Sequence, residues 1–204
     1  MKVKICGITD LGTALQAVAF GADAIGFVFA KSKREIEPSA AGYIAKALPT
    51  NIEKIGVFVN ESREKIEEIA SQANLTMVQL HGDESPEFCD SLTLPVIKAL
   101  SIGSEQDLEK IQLYSNHTIL VDSPAGKYRG GNGTSFNWDL LSSARFSNQK
   151  IILAGGLHQE NVARAIEIVK PYMVDVSSGV EYNGKKDLKK MKVFIETAKQ
   201  SITQ

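Results

Sequence analysis

Short apolar runs and longer stretches of helical periodicity alternate along the whole chain. Apolar runs rich in β-branched residues predict eight strands, at residues 3–6, 24–29, 54–59, 76–80, 95–99, 118–121, 150–153 and 173–176. Between them, apolar side chains recur every three or four residues. This spacing predicts helices at residues 11–20, 40–48, 63–73, 86–90, after Ser104, weakly at 138–144, and at 161–169 and 187–198.

This alternation predicts a parallel sheet covered by helices. Eight strand–helix units favour closure into a single (β/α)8 barrel domain over residues 1–204. A doubly wound open sheet is the alternative. Its dinucleotide-binding form carries G-x-G-x-x-G after the first strand, whereas this strand continues Cys6-Gly7-Ile8-Thr9.

Composition narrows the classes of partner. A formal net charge of −1 gives no basic footprint for nucleic acid, and no apolar run approaches the length of a membrane helix. Lys185, Lys186, Lys189 and Lys190 are expected to form the solvated face of the last helix. The 2 cysteines are too few for a disulfide scaffold, which fits a reducing, cytoplasmic compartment.

In a barrel of this kind the chemistry sits where strands end, so unusual residues there are candidates. Cys6 ends the first strand and would be a usable base if its pKa were lowered; the alternative is a small buried apolar residue. Asp122 follows an apolar run that would desolvate it, raise its pKa and keep it protonated; the alternative is a turn cap.

Two later strand ends predict an anion site. Gly155 and Gly156 follow the seventh strand, and Ser177, Ser178 and Gly179 follow the eighth. Barrels commonly bind phosphate between these two loops, on backbone N–H groups and the start of a short extra helix. Ordinary turns are the alternative, but they do not explain glycine and serine in both loops.

Other strand ends offer weaker candidates. Arg34 could clamp a carboxylate or could simply be solvated, and Gln79 and His81 could contact a ligand or cap the loop backbone. The glycine-rich residues 125–134 suggest a mobile lid, with a plain flexible loop as the alternative. Cys89 falls within a helix and is expected to be structural.

The strand-end segments, taken in order, resemble the phosphoribosylanthranilate isomerase family. The matching segments are residues 4–9, 78–82, 121–123, 130–138, 153–157 and 175–181. The resemblance implies a cofactor-free, metal-free Amadori rearrangement of a small phosphosugar in tryptophan biosynthesis, by a monomer or homodimer. It implies Cys6 as general base, Asp122 as general acid and Arg34 as partner of the substrate carboxylate. Gly155, Gly156, Ser178 and Gly179 would bind phosphate, with Gln79 and His81 as further contacts.

Three other functions compete with this assignment. A ribulose-phosphate epimerase would need metal-binding histidines, and of His81, His117 and His158 only the first lies at a strand end. An indoleglycerol-phosphate synthase would bring lysine and glutamate to strand ends, whereas Lys98 lies inside a strand. A non-catalytic phosphate-binding sensor is possible on the same fold, but it has no need of an acid–base pair.

Overall fold

The computed structural model describes residues 1–122, 138, 140–141 and 149–201. The candidate lid at 125–134 and most of the weak helix at 138–144 lie outside the described residues.

Eight parallel strands close into a barrel in the order of the sequence, with β8 hydrogen-bonded to β1. The predicted (β/α)8 barrel is therefore confirmed. The strands are β1 Lys2–Cys6, β2 Ala24–Val28, β3 Glu53–Phe58, β4 Met77–Leu80, β5 Val96–Ser101, β6 Thr118–Asp122, β7 Ile151–Leu153 and β8 Met173–Val176.

Seven described α-helices accompany the strands: α1 Leu11–Ala19, α2 Pro38–Ala47, α3 Arg63–Gln72, α4 Pro86–Ser91, α5 Glu105–Leu113, α6 Val162–Val169 and α7 Leu188–Gln200. Local sequence sets where they begin. The Ser85 hydroxyl caps α4, whose first residue is the predicted proline, and Asp187 caps α7. Helix α2 begins at Pro38, two residues earlier than predicted. None of the described helices is long and apolar enough to cross a membrane.

Strand alternation divides the core into two regions. Side chains such as Val3, Ile5 and Phe27 pack outward against the helices in one large cluster. A second, smaller cluster fills the barrel itself and consists of Ala24, Ile55, Ile97, Ala99, Leu120, Ile152, Ala154 and Met173. The same alternation turns Lys4 and Cys6 of β1 into the barrel, and both side chains are buried there.

The chain between β8 and α7 differs from the sequence prediction. A 3-10 helix, Ser178–Val180, leads into a two-stranded antiparallel hairpin of β9 Glu181–Tyr182 and β10 Lys185–Lys186. Lys185 and Lys186 therefore precede the last helix and do not lie on its face. The side chain of Lys186 is buried, with 6% exposed, so the prediction of a solvated lysine cluster is wrong for this residue.

Candidate active site

Cys6 ends β1 at the mouth of the barrel and is almost fully buried. Room for its thiol depends on Gly26 of the neighbouring strand, because a methyl group at Gly26 would lie 2.8 Å from Cys6 Sγ. The chain then turns away through Gly7, whose φ of +77° is a conformation that favours glycine. Two glycines thus create the space that the thiol occupies.

The pKa of the Cys6 thiol is raised, whereas a thiol acts most readily as a base when its pKa is lowered. Burial is the largest cause, since it penalises the thiolate, and the negative charge of Asp175 adds to it. The positive charges of Lys4 and Lys186 oppose the shift but do not cancel it. Without substrate, the thiol form is therefore favoured.

Lys4 lies fully buried inside the barrel and connects three strands. Its ammonium donates to Gln79 Oε1 at 2.8 Å and to Asp175 Oδ2 at 2.9 Å. Burial is the largest influence and alone would lower the pKa of Lys4, but the charges and hydrogen bonds of Asp175 and Cys6 together outweigh it, and the pKa is raised. The sequence analysis missed both Lys4 and Asp175. The signal that could have found them is a charged residue at an inward position of an otherwise apolar strand.

Gln79 extends this network toward β6. Because an ammonium can only donate, Lys4 fixes the Gln79 carbonyl toward itself and turns the amide NH2 to His81 Nδ1, 3.2 Å away. Nδ1 then accepts, which leaves the neutral ring's proton on Nε2. That nitrogen lies 3.6 Å from Asp122 Oδ2. Gln79 and His81 thus bond into the barrel rather than capping a loop.

Asp122 is the last residue of β6, at the same end of the barrel as Cys6. Its side chain is 35% exposed and faces His81. The carboxyl is therefore more open to solvent than the apolar residues that precede it in the strand would suggest. On the closed sheet, β7 and β8 separate its strand from the strand of Cys6.

The two candidate phosphate loops meet directly. A methyl group at Gly179 would overlap the carbonyl oxygen of Leu157, so the β8 loop is packed against the β7 loop. Gly155 and Gly156 have φ of +78° and +65°, and Ser178 begins the 3-10 helix. Within the described residues, the amides of Gly155, Gly156, Ser178 and Gly179 donate to no side-chain oxygen and to no backbone oxygen of a turn or loop. The arrangement suits an anion.

Arg34 is already paired with a residue of the protein. Its Nε and Nη2 donate to the two carboxylate oxygens of Glu181 at 2.7 and 2.8 Å. This hydrogen bonding raises the pKa of Arg34. The stem of Arg34 also packs on Gly7, where a methyl group would overlap it. Glu181 therefore holds the guanidinium beside the turn that follows Cys6.

Glu181 also accepts a hydrogen bond from Lys186, and this contact fixes the hairpin against the barrel. Lys186 Nζ donates to Glu181 Oε1 at 2.8 Å and to the Ser177 carbonyl at 2.9 Å, and Ser177 Oγ donates to the Cys6 carbonyl at 3.1 Å. Burial alone would raise the pKa of Glu181, but Arg34 and Lys186 lower it to about 2. The sequence analysis gave neither Glu181 nor Lys186 a role.

Two cavities of about 330 and 370 Å³ lie elsewhere, around residues 66–78 and 92–94 and around residues 89–96 and 116–118. Neither includes Cys6, Asp122 or the glycine loops. The candidate site lies instead at the barrel mouth, where the acid–base candidates and the backbone amides of the two glycine loops lie.

Similarity to known proteins extends over nearly the whole chain. A family model described as N-(5'phosphoribosyl)anthranilate (PRA) isomerase matches residues 3–197. A Bacillus cereus (strain Q1) protein named N-(5'-phosphoribosyl)anthranilate isomerase is 54% identical over 201 residues, 98% of each chain. A Bacillus mycoides (strain KBAB4) protein of the same name is 54% identical over 203 residues, again 98% of each chain.

Solved structures are similar over the same length. The phosphoribosyl anthranilate isomerase of Thermotoga maritima is 47% identical, with a TM-score of 0.92 and 98% of both chains covered. A phosphoribosyl anthranilate isomerase in complex with reduced 1-(o-carboxyphenylamino)-1-deoxyribulose 5-phosphate is 45% identical, with a TM-score of 0.89 and the same coverage.

Proposed function

The chain belongs to the N-(5'-phosphoribosyl)anthranilate isomerase family, and we propose that Cys6 and Asp122 are its general base and general acid. The enzyme catalyses the Amadori rearrangement of N-(5'-phosphoribosyl)anthranilate to 1-(2-carboxyphenylamino)-1-deoxyribulose 5-phosphate, a step of tryptophan biosynthesis. This assignment of Cys6 and Asp122 rests on where their side chains lie. Both side chains lie at the end of the barrel that also holds the two anion-binding loops.

The reaction needs two proton transfers, at the two sugar atoms that flank C1: the ring oxygen and C2. Protonated Asp122 gives its proton to the ring oxygen, the bond from C1 to that oxygen breaks, and the nitrogen lone pair forms a C1 iminium. The Cys6 thiolate, formed when the thiol has released its proton to solvent, then takes the proton from C2, and the electrons of that C–H bond form the enolamine. Tautomerisation of the enolamine gives the ketone. The iminium accepts the electrons of the C2–H bond, which makes that proton acidic enough for a side-chain base.

The raised pKa of Cys6 gives this sequence an order. A buried thiol resists ionisation until a positive charge comes near it. Ring opening supplies such a charge, because the iminium forms at the carbon next to the one that Cys6 deprotonates. In this proposal the acid step therefore prepares the base step, and proton abstraction before ring opening is disfavoured.

Binding at both ends of the substrate would orient the reacting carbons. The amides of Gly155, Gly156, Ser178 and Gly179 would hold the phosphate. Arg34 would contact the anthranilate carboxylate while Glu181 holds it from the other side. The similar structure with a bound phosphosugar analogue supports a ligand that has a phosphate and an aromatic carboxylate.

Gln79 and His81 have an indirect part in this proposal. Gln79 sets the ring orientation of His81, and His81 presents its Nε2 proton to Asp122. That proton would stabilise the carboxylate left after Asp122 has acted as acid. Both residues therefore support the acid and need not contact the substrate.

An assay of turnover tests the assignment. Phosphoribosylanthranilate is generated in the assay, and its conversion is followed by the loss of its fluorescence. We expect Cys6→Ser and Asp122→Asn to lose about 100-fold or more in kcat, with binding of inorganic phosphate unchanged. Cys89→Ser is the matched control, because this second free cysteine is buried in α4. Wild-type rates in either variant would show that the acid–base pair is wrong, while the family assignment would stand.

We further propose a cytoplasmic location and a monomer or homodimer. Both cysteines are free and buried, which suits a reducing compartment.

A further inference from the structure

We propose that Lys4 is a positioning residue that stabilises the Cys6 thiolate, and that Asp175 and Gln79 hold its ammonium in place for that purpose. The inference rests on the proposed role of Cys6 as base. It assigns a purpose to a buried charged cluster that neither phosphate binding nor carboxylate binding requires.

The ammonium of Lys4 is held rigidly. Lys4 and Asp175 are direct partners in the register of β1 and β8, and Gln79 approaches from β4 across the barrel. Two of the three N–H groups of Lys4 are used by these acceptors, at 2.8 and 2.9 Å. One donor remains for the thiolate.

The same geometry places Lys4 beside the thiol. Lys4 and Cys6 are alternate residues of one strand and so point to the same side. A methyl group built on Gly26 would lie 2.8 Å from Cys6 Sγ and 3.1 Å from Lys4 Cε, so both side chains line one small space. With Lys4 fully buried, its charge acts on the sulfur with little screening by water.

Other charges face Cys6, but each differs from Lys4. Lys186 approaches from β10, but its ammonium is paired with Glu181. Arg34 is paired with the same carboxylate, and its charge also acts on Cys6. Asp175 is the one negative charge of the Lys4 cluster, and within the described residues its buried Oδ1 has no hydrogen-bond partner. Lys4 and Asp175 should therefore shift the ionisation of Cys6 in opposite directions.

That opposition separates an electrostatic role from a structural one. A barrel loosened by any substitution would expose Cys6 and move its pKa the same way in every variant. We therefore compare Lys4→Met, which keeps the length of the side chain and removes its charge, with Asp175→Asn, which keeps an acceptor for Lys4 and removes the negative charge. Lys98→Met is the matched control. Lys98, on β5, forms another buried ion pair, with Glu84, and this substitution breaks it.

The experiment titrates Cys6 by the chemical shift of its 13C-labelled β-carbon in a Cys89→Ala background. We expect the pKa of Cys6 to rise by about one unit or more in Lys4→Met and to fall by a similar amount in Asp175→Asn. Lys98→Met should leave it unchanged. In pH profiles of kcat/KM, the deficit of Lys4→Met should shrink as pH rises, which a loss of packing would not produce.

Equal pKa values in all variants, or shifts of one sign in both Lys4→Met and Asp175→Asn, would overturn the proposal. Should Lys4→Met fail to fold, Lys4→Gln, which removes the charge and keeps a hydrogen-bond donor, replaces it: a pKa of Cys6 that stays the same or falls in that variant refutes the proposal. The titration does not depend on turnover. Opposite shifts combined with an active Cys6→Ser enzyme would refute the proposed base while leaving the electrostatic effect of Lys4 intact.

Discussion

Gly179→Ala tests whether the β7 and β8 loops form a single anion site. The added methyl group would overlap the carbonyl oxygen of Leu157 and would lie 3.0 Å from its carbonyl carbon and 3.2 Å from His158 Cα. All three contacts are backbone atoms, so no side chain can rotate away to make room. The two loops must separate, and the amides proposed to bind the phosphate from either side must separate with them.

The expected cost has two parts. Overpacking in a closely fitted region costs about 1–3 kcal/mol of stability. Loss of one hydrogen bond to a charged ligand costs about 1.5–3 kcal/mol, which corresponds to roughly 10- to 150-fold weaker binding. The phosphate end of the substrate should therefore lose affinity while the acid and base stay in place, so that KM rises more than kcat falls.

Thermal unfolding measures the loss of stability, and calorimetric titration with inorganic phosphate measures the loss of affinity. Gly184→Ala is the control, because it too should cost stability, through the positive φ of Gly184, +77°, whereas a methyl group there meets nothing within 4 Å. It should lose stability from backbone strain and bind phosphate as wild type does. Unchanged phosphate binding in Gly179→Ala, together with the expected loss of stability, would refute a shared anion site.

Three further predictions concern the base and its surroundings. Gly26→Ala should lower kcat, because its methyl group would displace Cys6 Sγ. Gly12→Ala in α1 is the control, because a methyl group there makes only an ordinary contact with Asp10, and equal kcat values in both variants would contradict this reasoning. For the free enzyme, kcat/KM should rise with pH between 7 and 9, because the raised pKa of Cys6 leaves little thiolate at neutral pH, and a flat profile over that range would count against it. Glu181 has a pKa of about 2 in the folded protein against an ordinary 4.5, so the stability it contributes above pH 4.5 should disappear as pH falls toward 2. Circular dichroism should show that Glu181→Gln lacks this component, and identical acid unfolding in both proteins would exclude it.

The sequence was sufficient for the barrel because its signal is local. Each strand is a short apolar run between turns, so the predicted strand at 173–176 and β8 share their bounds, and the other strands differ by one or two residues at either end. Cys6, Asp122 and the glycine loops were also identifiable, since strand ends in a barrel meet at one rim.

The environment of those residues could not be predicted, because it depends on strand register and burial. Lys4 and Asp175 face each other only because β1 pairs with β8 in one particular register. The raised pKa of Cys6 follows from burial that a linear pattern does not reveal. Likewise, the pairing of Arg34 with Glu181 joins residues 147 positions apart.

The error at Lys186 was avoidable. Asn183 and Gly184 both have positive φ, +49° and +77°, and Asn-Gly between two short extended segments is a strong hairpin signal. A chain that reverses there brings Lys186 back toward Glu181, whereas the prediction extended the helical pattern of the following residues backward. The turn-forming pair Asn183-Gly184 was therefore the informative signal, and the density of lysines near it was misleading.

Closure of the barrel between its first and last strands has a consequence for synthesis of the enzyme. The proposed base is made long before β8, because Asp175, which orients its neighbour Lys4, follows Lys4 by 171 residues. A nascent chain that has left the ribosome only as far as β7 therefore presents Cys6 without this electrostatic environment. Catalytic competence should appear late and abruptly during translation, once β8 has docked, and no amino-terminal fragment ending before β8 should acquire it in part.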